Sequence, residues 1–267
     1  MIGLGLGATH ASPLQAATVV DNTISDTKAF EFDGSSDVVI APAAVDIFNG
    51  SGGSISFWAK DGDFTGKTFI NKFAASDNQW NIGFQDVAGN DVMFFEGKDN
   101  AGGGSQTSKF YSSALSSLTN YNHFVVVIDD SSTSNFLANS KIYVNGSATS
   151  SIFSGLLNSN ATVDFDNTGS LLVGASTNTS RTHVDEINEM AFFSTALSAA
   201  EVTAIYNSGT PTNLTVNKGD YASASSLELY IRGEETIGSS PLFQFTDSSG
   251  NGHTCNAIGN SIIDSTL

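Results

Sequence analysis

Residues 184–207 read VDEINEMAFFSTALSAAEVTAIYN, and this stretch decides the fold. Its first half passes from a polar start to an apolar end, a pattern typical of a β-strand. The second half predicts a short helix near residues 199–207, because Ser198 and Glu201 have the spacing of a capping box. A short, capped helix directly after a long strand restricts the chain to a few architectures.

The rest of the chain predicts strands almost throughout. Apolar runs alternate with clusters of Ser, Thr, Asn and Gly, which indicates many short strands and hence an all-β sandwich. The 19 Phe residues supply a large core, and Cys255 is the one cysteine, so no internal disulfide can form. The strands are expected at residues 29–33, 37–41, 54–60, 67–73, 79–85, 91–96, 107–111, 122–129, 140–145, 162–166, 170–174 and 184–193.

The charge balance excludes two classes of partner. With 27 acidic and 10 basic residues the formal net charge is −17, and no basic patch is present that could bind nucleic acid. No polybasic segment suits an anionic membrane surface, and no apolar run approaches the roughly 20 residues that a membrane span needs. We therefore expect neither nucleic-acid binding nor membrane insertion.

Several segments resemble the laminin-G-like jelly-roll modules of the concanavalin-A-like lectin/glucanase superfamily, and they occur in the order of that family. In chain order they read FEFDGSSDVVI from residue 30, SISFWAK from residue 54, YNHFVVV from residue 121, KIYVNG from residue 141, LLVGA from residue 171, and the closing strand and helix over residues 184–207. The resemblance implies that the all-β sandwich indicated by the strand pattern is a two-sheet antiparallel jelly-roll. His123 matches a strand position of the family, which implies a structural role for it.

The chain divides into an arm and a sandwich. Residues 1–27 are small and polar, and we expect an extended N-terminal arm there. Residues 226–233 and 243–253 resemble the opening of a laminin-G-like module, although they follow the closing helix. Either this strand folds back onto the same sandwich in permuted order, or a second module has been cut short. Because a two-stranded remnant would be unstable alone, we expect a single domain over residues 28–267 with the strand at 226–233 folded back.

Catalysis is considered because the superfamily includes retaining glycoside hydrolases, which use two carboxylates on one face of a strand. The nearest candidates are Glu186 and Glu189. Their odd spacing predicts opposite faces of a strand, which excludes the pair about 5–5.5 Å apart that retention requires. Cys255 and His253 lie in a Gly- and Asn-rich turn and are too close in sequence to form a nucleophile–base pair. We therefore expect no catalytic residues and no enzyme activity.

The resemblance also implies a candidate Ca²⁺ site at the rim of the sandwich, where many relatives hold one. Asp185 and Glu186 match the acidic pair of the closing strand, and Asp33 and Asp37 match acids of the opening segment. Carboxylates supply the oxygen ligands that Ca²⁺ prefers. We expect any Ca²⁺ there to be structural, and the sequence marks no other cofactor.

Sugar binding would need aromatic rings beside polar groups. The two tryptophans do not supply an obvious platform, because Trp58 and Trp80 lie in strands where both are expected to face the core. Tyr111, Tyr121 and Phe95 are candidate exposed rings, although no motif marks them. The ligand-binding residues are therefore unknown from the sequence.

The predicted function follows from these features together. The opening MIGLGLG and the C-terminal arrangement are similar to laminin-G-like structural proteins of marine tailed phages. We expect a non-enzymatic virion protein, either a capsid decoration or a fibre, whose arm binds other virion proteins and whose sandwich faces host or environmental glycans. The alternative is a secreted bacterial carbohydrate-binding or adhesion module, and a glycoside hydrolase is least favoured. The sequence leaves open the capsid or tail location, the glycan, and whether the chain is a monomer or a homo-oligomer.

Overall fold

The structure is a computed structural model. It describes residue 24 and residues 28–34, 37–48, 52–60, 67–73, 79–99, 106–129, 139–149, 152–154, 167–177, 180–181, 184–239 and 242–259. Apart from residue 24, the arm expected over residues 1–27 lies outside the described residues, as does the strand expected over residues 162–166.

Eighteen β-strands dominate the described chain. They are β1 (Phe30–Asp33), β2 (Val38–Ala41), β3 (Gly53–Lys60), β4 (Lys67–Phe73), β5 (Gln79–Val87), β6 (Asn90–Asp99), β7 (Gln106–Tyr111), β8 (Asn122–Ile128), β9 (Lys141–Val144), β10 (Ser147–Ala148), β11 (Ile152–Ser154), β12 (Leu171–Val173), β13 (Ala175–Thr177), β14 (Ser180–Arg181), β15 (Val184–Phe193), β16 (Leu227–Ser239), β17 (Leu242–Asp247) and β18 (Thr254–Ile258). The helix α1 spans Ala199–Tyr206. Within the described ranges, no helix is both long enough and apolar enough to cross a membrane.

The strands form two antiparallel layers that share β16. The front sheet has the order β10-β9-β8-β3-β15-β16, and the back sheet has the order β16-β17-β18-β2-β12-β4-β5-β6-β7-β11. The first half of β15 pairs with β1, and its second half pairs with β16. β16 passes from one layer to the other where its register shifts, between Ile231 and Thr236. The prediction of an all-β, two-sheet antiparallel jelly-roll sandwich with a short helix is confirmed.

The C-terminal strands pair with strands from both ends of the sandwich. β16 runs antiparallel to β15, with Leu229 opposite Phe192. β17 and β18 follow, and β18 pairs with β2 near the start of the sandwich. The strands before and after α1 therefore share one hydrogen-bonded system. This arrangement supports the proposal that residues 28–267 form a single domain with the strand at residues 226–233 folded back onto it.

The inner faces of the two sheets enclose an aromatic core. The ring of Phe57 on the front sheet lies 5.2 Å from that of Phe69 on the back sheet, and Phe84 and Phe124 meet at 5.4 Å. Trp80 is 1% exposed, which agrees with its predicted place in the core. Aromatic side chains bury large apolar areas and prefer such edge-to-face contacts. Burial on this scale stabilises the sandwich without a disulfide.

The outer face of the front sheet is covered by α1 and by the segment that follows it. This covered face consists of Val125, Val127, Tyr143, Ala191, Phe193, Leu197, Val202, Ile205, Leu214, Tyr221, Leu227 and Tyr230. The predicted capping box starts the helix, because the N–H of Glu201 donates to Ser198 Oγ at 3.3 Å and the Glu201 carboxylate accepts from the N–H of Ser198 at 2.9 Å. The helix ends where Asn207 adopts a left-handed φ of 47°.

Candidate functional site

Glu186 and Glu189 lie on the same face of β15, and the prediction of opposite faces was wrong. A β-bulge interrupts the pairing of β15 with β3 just after Asn188, and Glu189 takes a left-handed φ of 50°. The extra residue shifts the alternation, so Ile187 and Met190 both face the core. Both glutamates consequently point to the outer side of the front sheet.

Glu189 is neutralised inside a buried cluster. Arg232 Nε donates to one carboxylate oxygen at 2.9 Å, and the Tyr230 hydroxyl donates to the other. The side chains of Glu189 and Arg232 are 3% and 12% exposed. Asn188 Oδ1 accepts the backbone N–H of Gly233 at 3.2 Å and so fastens the bulge to β16. This cluster joins β15 to β16 and has a structural role.

Glu186 forms a similar but more exposed cluster. Lys60 Nζ lies 2.7 Å from one carboxylate oxygen, and the Tyr121 hydroxyl donates to the other. The Lys60 ammonium also lies 5.6 Å from the centroid of the Tyr121 ring. Because Glu186 and Glu189 each have a separate cation and a separate tyrosine, they do not form the shared carboxylate pair of a retaining glycosidase.

The four acids of the predicted Ca²⁺ site lie on β1, on β15 and in the turn after β1. Asp37 is buried, and one of its carboxylate oxygens accepts the backbone N–H of Asp33 at 3.0 Å. Glu186 is held by Lys60, and the backbone of Asp185 pairs with β1. Across the described ranges, no group of three or more His, Cys, Asp or Glu side chains is arranged to hold a metal ion. The Ca²⁺ site stays a prediction.

His123 packs against Trp58 and Tyr206 beside the covered face, with ring centroids 4.9 and 5.9 Å away, and the Trp58 and Tyr206 rings lie 6.0 Å from each other. Its Nε2 shares a hydrogen bond of 2.8 Å with Ser56 Oγ, while Nδ1 is buried and meets no partner among the described residues. Burial lowers the pKa of His123 to about 3 because the charged imidazolium would lose its water. The ring is therefore neutral at ordinary pH and has a structural role.

Cys255 is fully buried and carries no nucleophilic chemistry. Burial, together with the negative charge of Asp247, raises the pKa of its thiol to about 12. The backbone N–H of His253 donates to Asp247 at 3.2 Å, which shapes the turn between β17 and β18. The thiol and this histidine therefore make no catalytic pair.

The back sheet carries a row of polar side chains across four neighbouring strands. This polar row consists of Asn71 on β4, Asn81 on β5, Glu96 on β6 and Lys109 on β7. Strand pairing places Asn71 opposite Asn81, Asn81 opposite Glu96, and Glu96 opposite Lys109. Paired residues share a face, and the strand neighbours of these residues face the core, so the row lies on the outer face of the sandwich.

The polar row has an ion pair and two aromatic rings at one end. Asn81 Nδ2 donates to Glu96 Oε1 at 3.3 Å, and Lys109 Nζ lies 3.5 Å from Glu96 Oε2. The side chains of Glu96 and Lys109 are 33% and 20% exposed. The Lys109 ammonium lies 3.8 Å from the centroid of the Phe94 ring and 5.6 Å from that of Tyr111, within the range of cation–π attraction. Partly exposed polar groups thus adjoin two rings that are themselves buried, since Phe94 is 5% and Tyr111 9% exposed.

Asn71 ends the row on the buried side. Its side chain is 2% exposed, and its Nδ2 donates to the backbone carbonyl of Ala175. Its Oδ1 is buried and meets no donor among the described residues. A buried carbonyl oxygen without a donor costs about 1–3 kcal/mol, so the row contains an acceptor that a bound hydroxyl or water would satisfy.

The aromatic candidates from the sequence fall in three different places. Tyr111 lies beside Lys109 of the polar row, Tyr121 lies beside Glu186 on the front sheet, and Phe95 is fully buried in the core. The expectation of an exposed ring was wrong for Phe95, because its neighbours on β6 occupy the outer face, and for Tyr111, which is buried at 9% exposure. Sequence reasoning missed the polar row. The available signal was a polar residue next to a core residue in each strand, and in β5 Asn81 lies between two of them.

A laminin-G-like family model, described as the concanavalin A-like lectin/glucanases superfamily, matches residues 33–203. The chain belongs to this superfamily. The resemblance read from the sequence is confirmed. No protein of curated function matches the sequence of this lectin-superfamily chain.

Solved structures share the lectin-superfamily fold at low sequence identity. A proposed carbohydrate-binding protein from Bacteroides ovatus is 16% identical with a TM-score of 0.56, over 91% of this chain and 60% of its own. The carbohydrate-binding module of a Ruminococcus gnavus sialidase, bound to α2,3-sialyllactose, is 12% identical with a TM-score of 0.47, over 67% of this chain and 97% of its own. Tailspike protein 2 of the Escherichia coli O157:H7 bacteriophage CAB120 is 10% identical with a TM-score of 0.46, over 73% of this chain and 25% of its own. Identities this low show the fold alone.

Proposed function

We propose that the chain is a non-catalytic, extracellular glycan-binding module whose binding site is the polar row. The observation that carries the proposal is the geometry of the row, where the partly exposed side chains of Asn81, Glu96 and Lys109 lie together above the buried rings of Phe94 and Tyr111. Carbohydrate sites bring a small number of convergent hydrogen-bonding groups together in this way. Membership of a lectin superfamily supports the same function.

The pairing of the two β15 glutamates supports a non-catalytic role. Glu186 and Glu189 each engage their own cation and tyrosine, so neither shares a cleft with a second carboxylate in the manner of a retaining enzyme. We expect no reducing ends to be released when the protein is incubated for a day with the polysaccharides that it binds. Release that disappears in a Glu186→Gln variant would overturn this part of the proposal.

The test of glycan binding is affinity electrophoresis followed by titration calorimetry. The probes are laminarin, dextran and galactomannan, which are neutral, and alginate and polygalacturonate, which are acidic. We expect one or more of these glycans to bind, and Asn81→Ala to weaken binding about tenfold, the usual cost of losing a hydrogen bond in a site. The matched control is Asn122→Ala on β8 of the front sheet, which should leave binding unchanged. Equal losses in both variants would contradict the placement of the site.

The virion assignment is a finer form of this function and stays a prediction. It depends on the N-terminal arm, which lies outside the described residues, so its support is the sequence resemblance alone. Mass spectrometry of purified virus-sized particles from the source tests it. Recovery of the chain at many copies per particle would support a decoration or fibre protein, and recovery only in the soluble extracellular fraction would favour the secreted module.

The predicted Ca²⁺ is tested by melting the protein in CaCl₂, in MgCl₂ and in EDTA. A ligand that binds only the folded state raises the Tm with its concentration. A rise specific to CaCl₂ would support a structural ion near Asp33, Asp37 and Asp185. An unchanged Tm would contradict the predicted Ca²⁺ site.

A further inference from the structure

The lysine of the polar row is already neutralised before any ligand arrives. Lys109 Nζ lies 3.5 Å from Glu96 Oε2 and is held against the faces of Phe94 and Tyr111. The carboxylate and the two ring faces therefore largely balance the positive charge of this ammonium group. An acidic sugar that approached Lys109 would also approach Glu96 and be repelled by it.

Glu96 has acceptor capacity to spare. Its Oε1 accepts from Asn81 and its Oε2 faces Lys109, yet each oxygen of a carboxylate has two lone pairs. With the side chain 33% exposed, both oxygens can accept from hydroxyl donors as well. Two neighbouring hydroxyls of a neutral sugar offer such donors, whereas the carboxylate of a uronic acid or the sulfate of a sulfated sugar offers only acceptors.

The charge of the whole chain acts in the same direction. The net charge of −17 makes a polyanionic glycan a poor partner at any site that lacks an unpaired cation. One acid and one base cancel within the four residues of the polar row, so the row itself adds no net positive charge, and Lys98, two residues beyond Glu96 on the same face of β6, lies outside it.

We infer that Glu96 is a charge filter, which restricts the polar row to neutral glycans with neighbouring hydroxyls by holding Lys109 in an ion pair. The inference rests on the proposed glycan-binding function. It names the chemical class of the ligand, an uncharged polysaccharide. It also assigns Glu96 two tasks, accepting sugar hydroxyls and excluding acidic groups.

The experiment compares the wild type with Glu96→Gln and Glu96→Gln/Lys109→Met, titrated with laminarin, dextran, galactomannan, alginate and polygalacturonate at low ionic strength. Gln keeps the size and one acceptor of Glu but removes the charge. We expect Glu96→Gln to bind neutral glycan about tenfold more weakly and to gain alginate or polygalacturonate binding, because Lys109 is set free. The double variant should lose that gain.

The matched control is Glu186→Gln on the front sheet. It removes the carboxylate charge beside Lys60, which also lies near a tyrosine ring, and it changes the net charge by the same amount. If Glu186→Gln gained acidic-glycan binding equally, the effect would be one of net charge and the filter would be overturned.

The remaining outcomes separate this inference from the proposed function. A wild type that binds neutral glycan through Asn81, with no gain in Glu96→Gln, overturns the filter and keeps the function. A wild type that binds alginate through Lys109 also overturns the filter. A wild type that binds no probe, with a gain in Glu96→Gln, supports the filter and removes the proposed function. If neither the wild type nor Glu96→Gln binds any probe, both the filter and the proposed function are overturned.

Discussion

The outer faces of the two sheets have opposite character, although each carries a glutamate paired with a basic residue beside an aromatic ring. On the front sheet, α1 and the segment after it bury an apolar face and the Glu189–Arg232 pair. On the back sheet, the Glu96–Lys109 pair stands half-exposed in a row of amides. The comparison teaches that charges on one face hold neighbouring strands together, while charges on the other remain available to a ligand. Substitutions should therefore cost stability on the front sheet and binding on the back sheet.

The largest expected effect is on the covered face. Arg232→Met would leave Glu189 buried without its cation, and breaking a buried pair in this way costs about 3–5 kcal/mol of the free energy of unfolding. Urea denaturation followed by tryptophan fluorescence measures the loss. Adding Glu189→Gln should recover part of it, because no buried charge is then unpaired.

The control for that prediction is the more exposed pair on the same sheet. Lys60→Met removes the cation of Glu186, and since Lys60 is 31% exposed we expect a loss of about 0.2–1 kcal/mol. Similar losses in Arg232→Met and Lys60→Met would contradict the difference between a buried and a half-exposed pair.

The next effect concerns pH and His123. Its pKa is about 3 in the folded protein against 6.5 in an unfolded chain, so between these values the unfolded state binds the additional proton. The free energy of unfolding should therefore be fully maintained above pH 6.5 and fall as the pH is lowered, by about 2 kcal/mol at pH 5. Urea denaturation of the wild type and of His123→Gln from pH 8 to pH 4 isolates this contribution as the difference between the two curves. Parallel curves would contradict the prediction, because they would show that protonation of His123 does not lower the free energy of unfolding.

A smaller loss is expected at the start of α1. Ser198→Ala removes the side-chain acceptor for the N–H of Glu201 and one half of the capping box, a change that typically costs about 1 kcal/mol. The Tm from calorimetry should fall accordingly. Ser225→Ala, at an exposed position of the covering segment, is the control and should leave the Tm unaltered.

The smallest effect on stability should come from the back sheet. Glu96→Gln breaks a half-exposed ion pair, and such pairs contribute about 0–1 kcal/mol. Urea denaturation should place this variant within that range of the wild type even though its glycan binding changes. A loss as large as that of Arg232→Met would mean that the polar row stabilises the fold, and the contrast between the two faces would fail.

Much of the architecture could be predicted from local patterns. The alternation of apolar and polar residues indicates the strands, and the capping box indicates the start of α1, because both depend on neighbours within a few residues. The predicted burial of Trp80 followed from the same alternation. The family resemblance rests on short segments whose order along the chain is itself sequence information.

Tertiary structure alone decided the placement of the charged groups. The bulge at Glu189 inserts one residue into β15, and this reverses the face that regular alternation assigns to every residue beyond it. No local sequence pattern predicts the bulge, because it is stabilised by contacts of Glu189 and Asn188 with residues on the distant strand β16.

The polar row shows the same difference between what the sequence determines and what the tertiary structure decides. The sequence determines that Asn81 is polar between two core residues, and hence that it faces outward. Its proximity to Glu96 and Lys109 is decided by the register of three consecutive strands, β5, β6 and β7, which the connecting turns, hydrogen bonding and core packing set together. Local periodicity fixes the face on which a side chain lies, and only the packed sheet fixes its neighbours on that face.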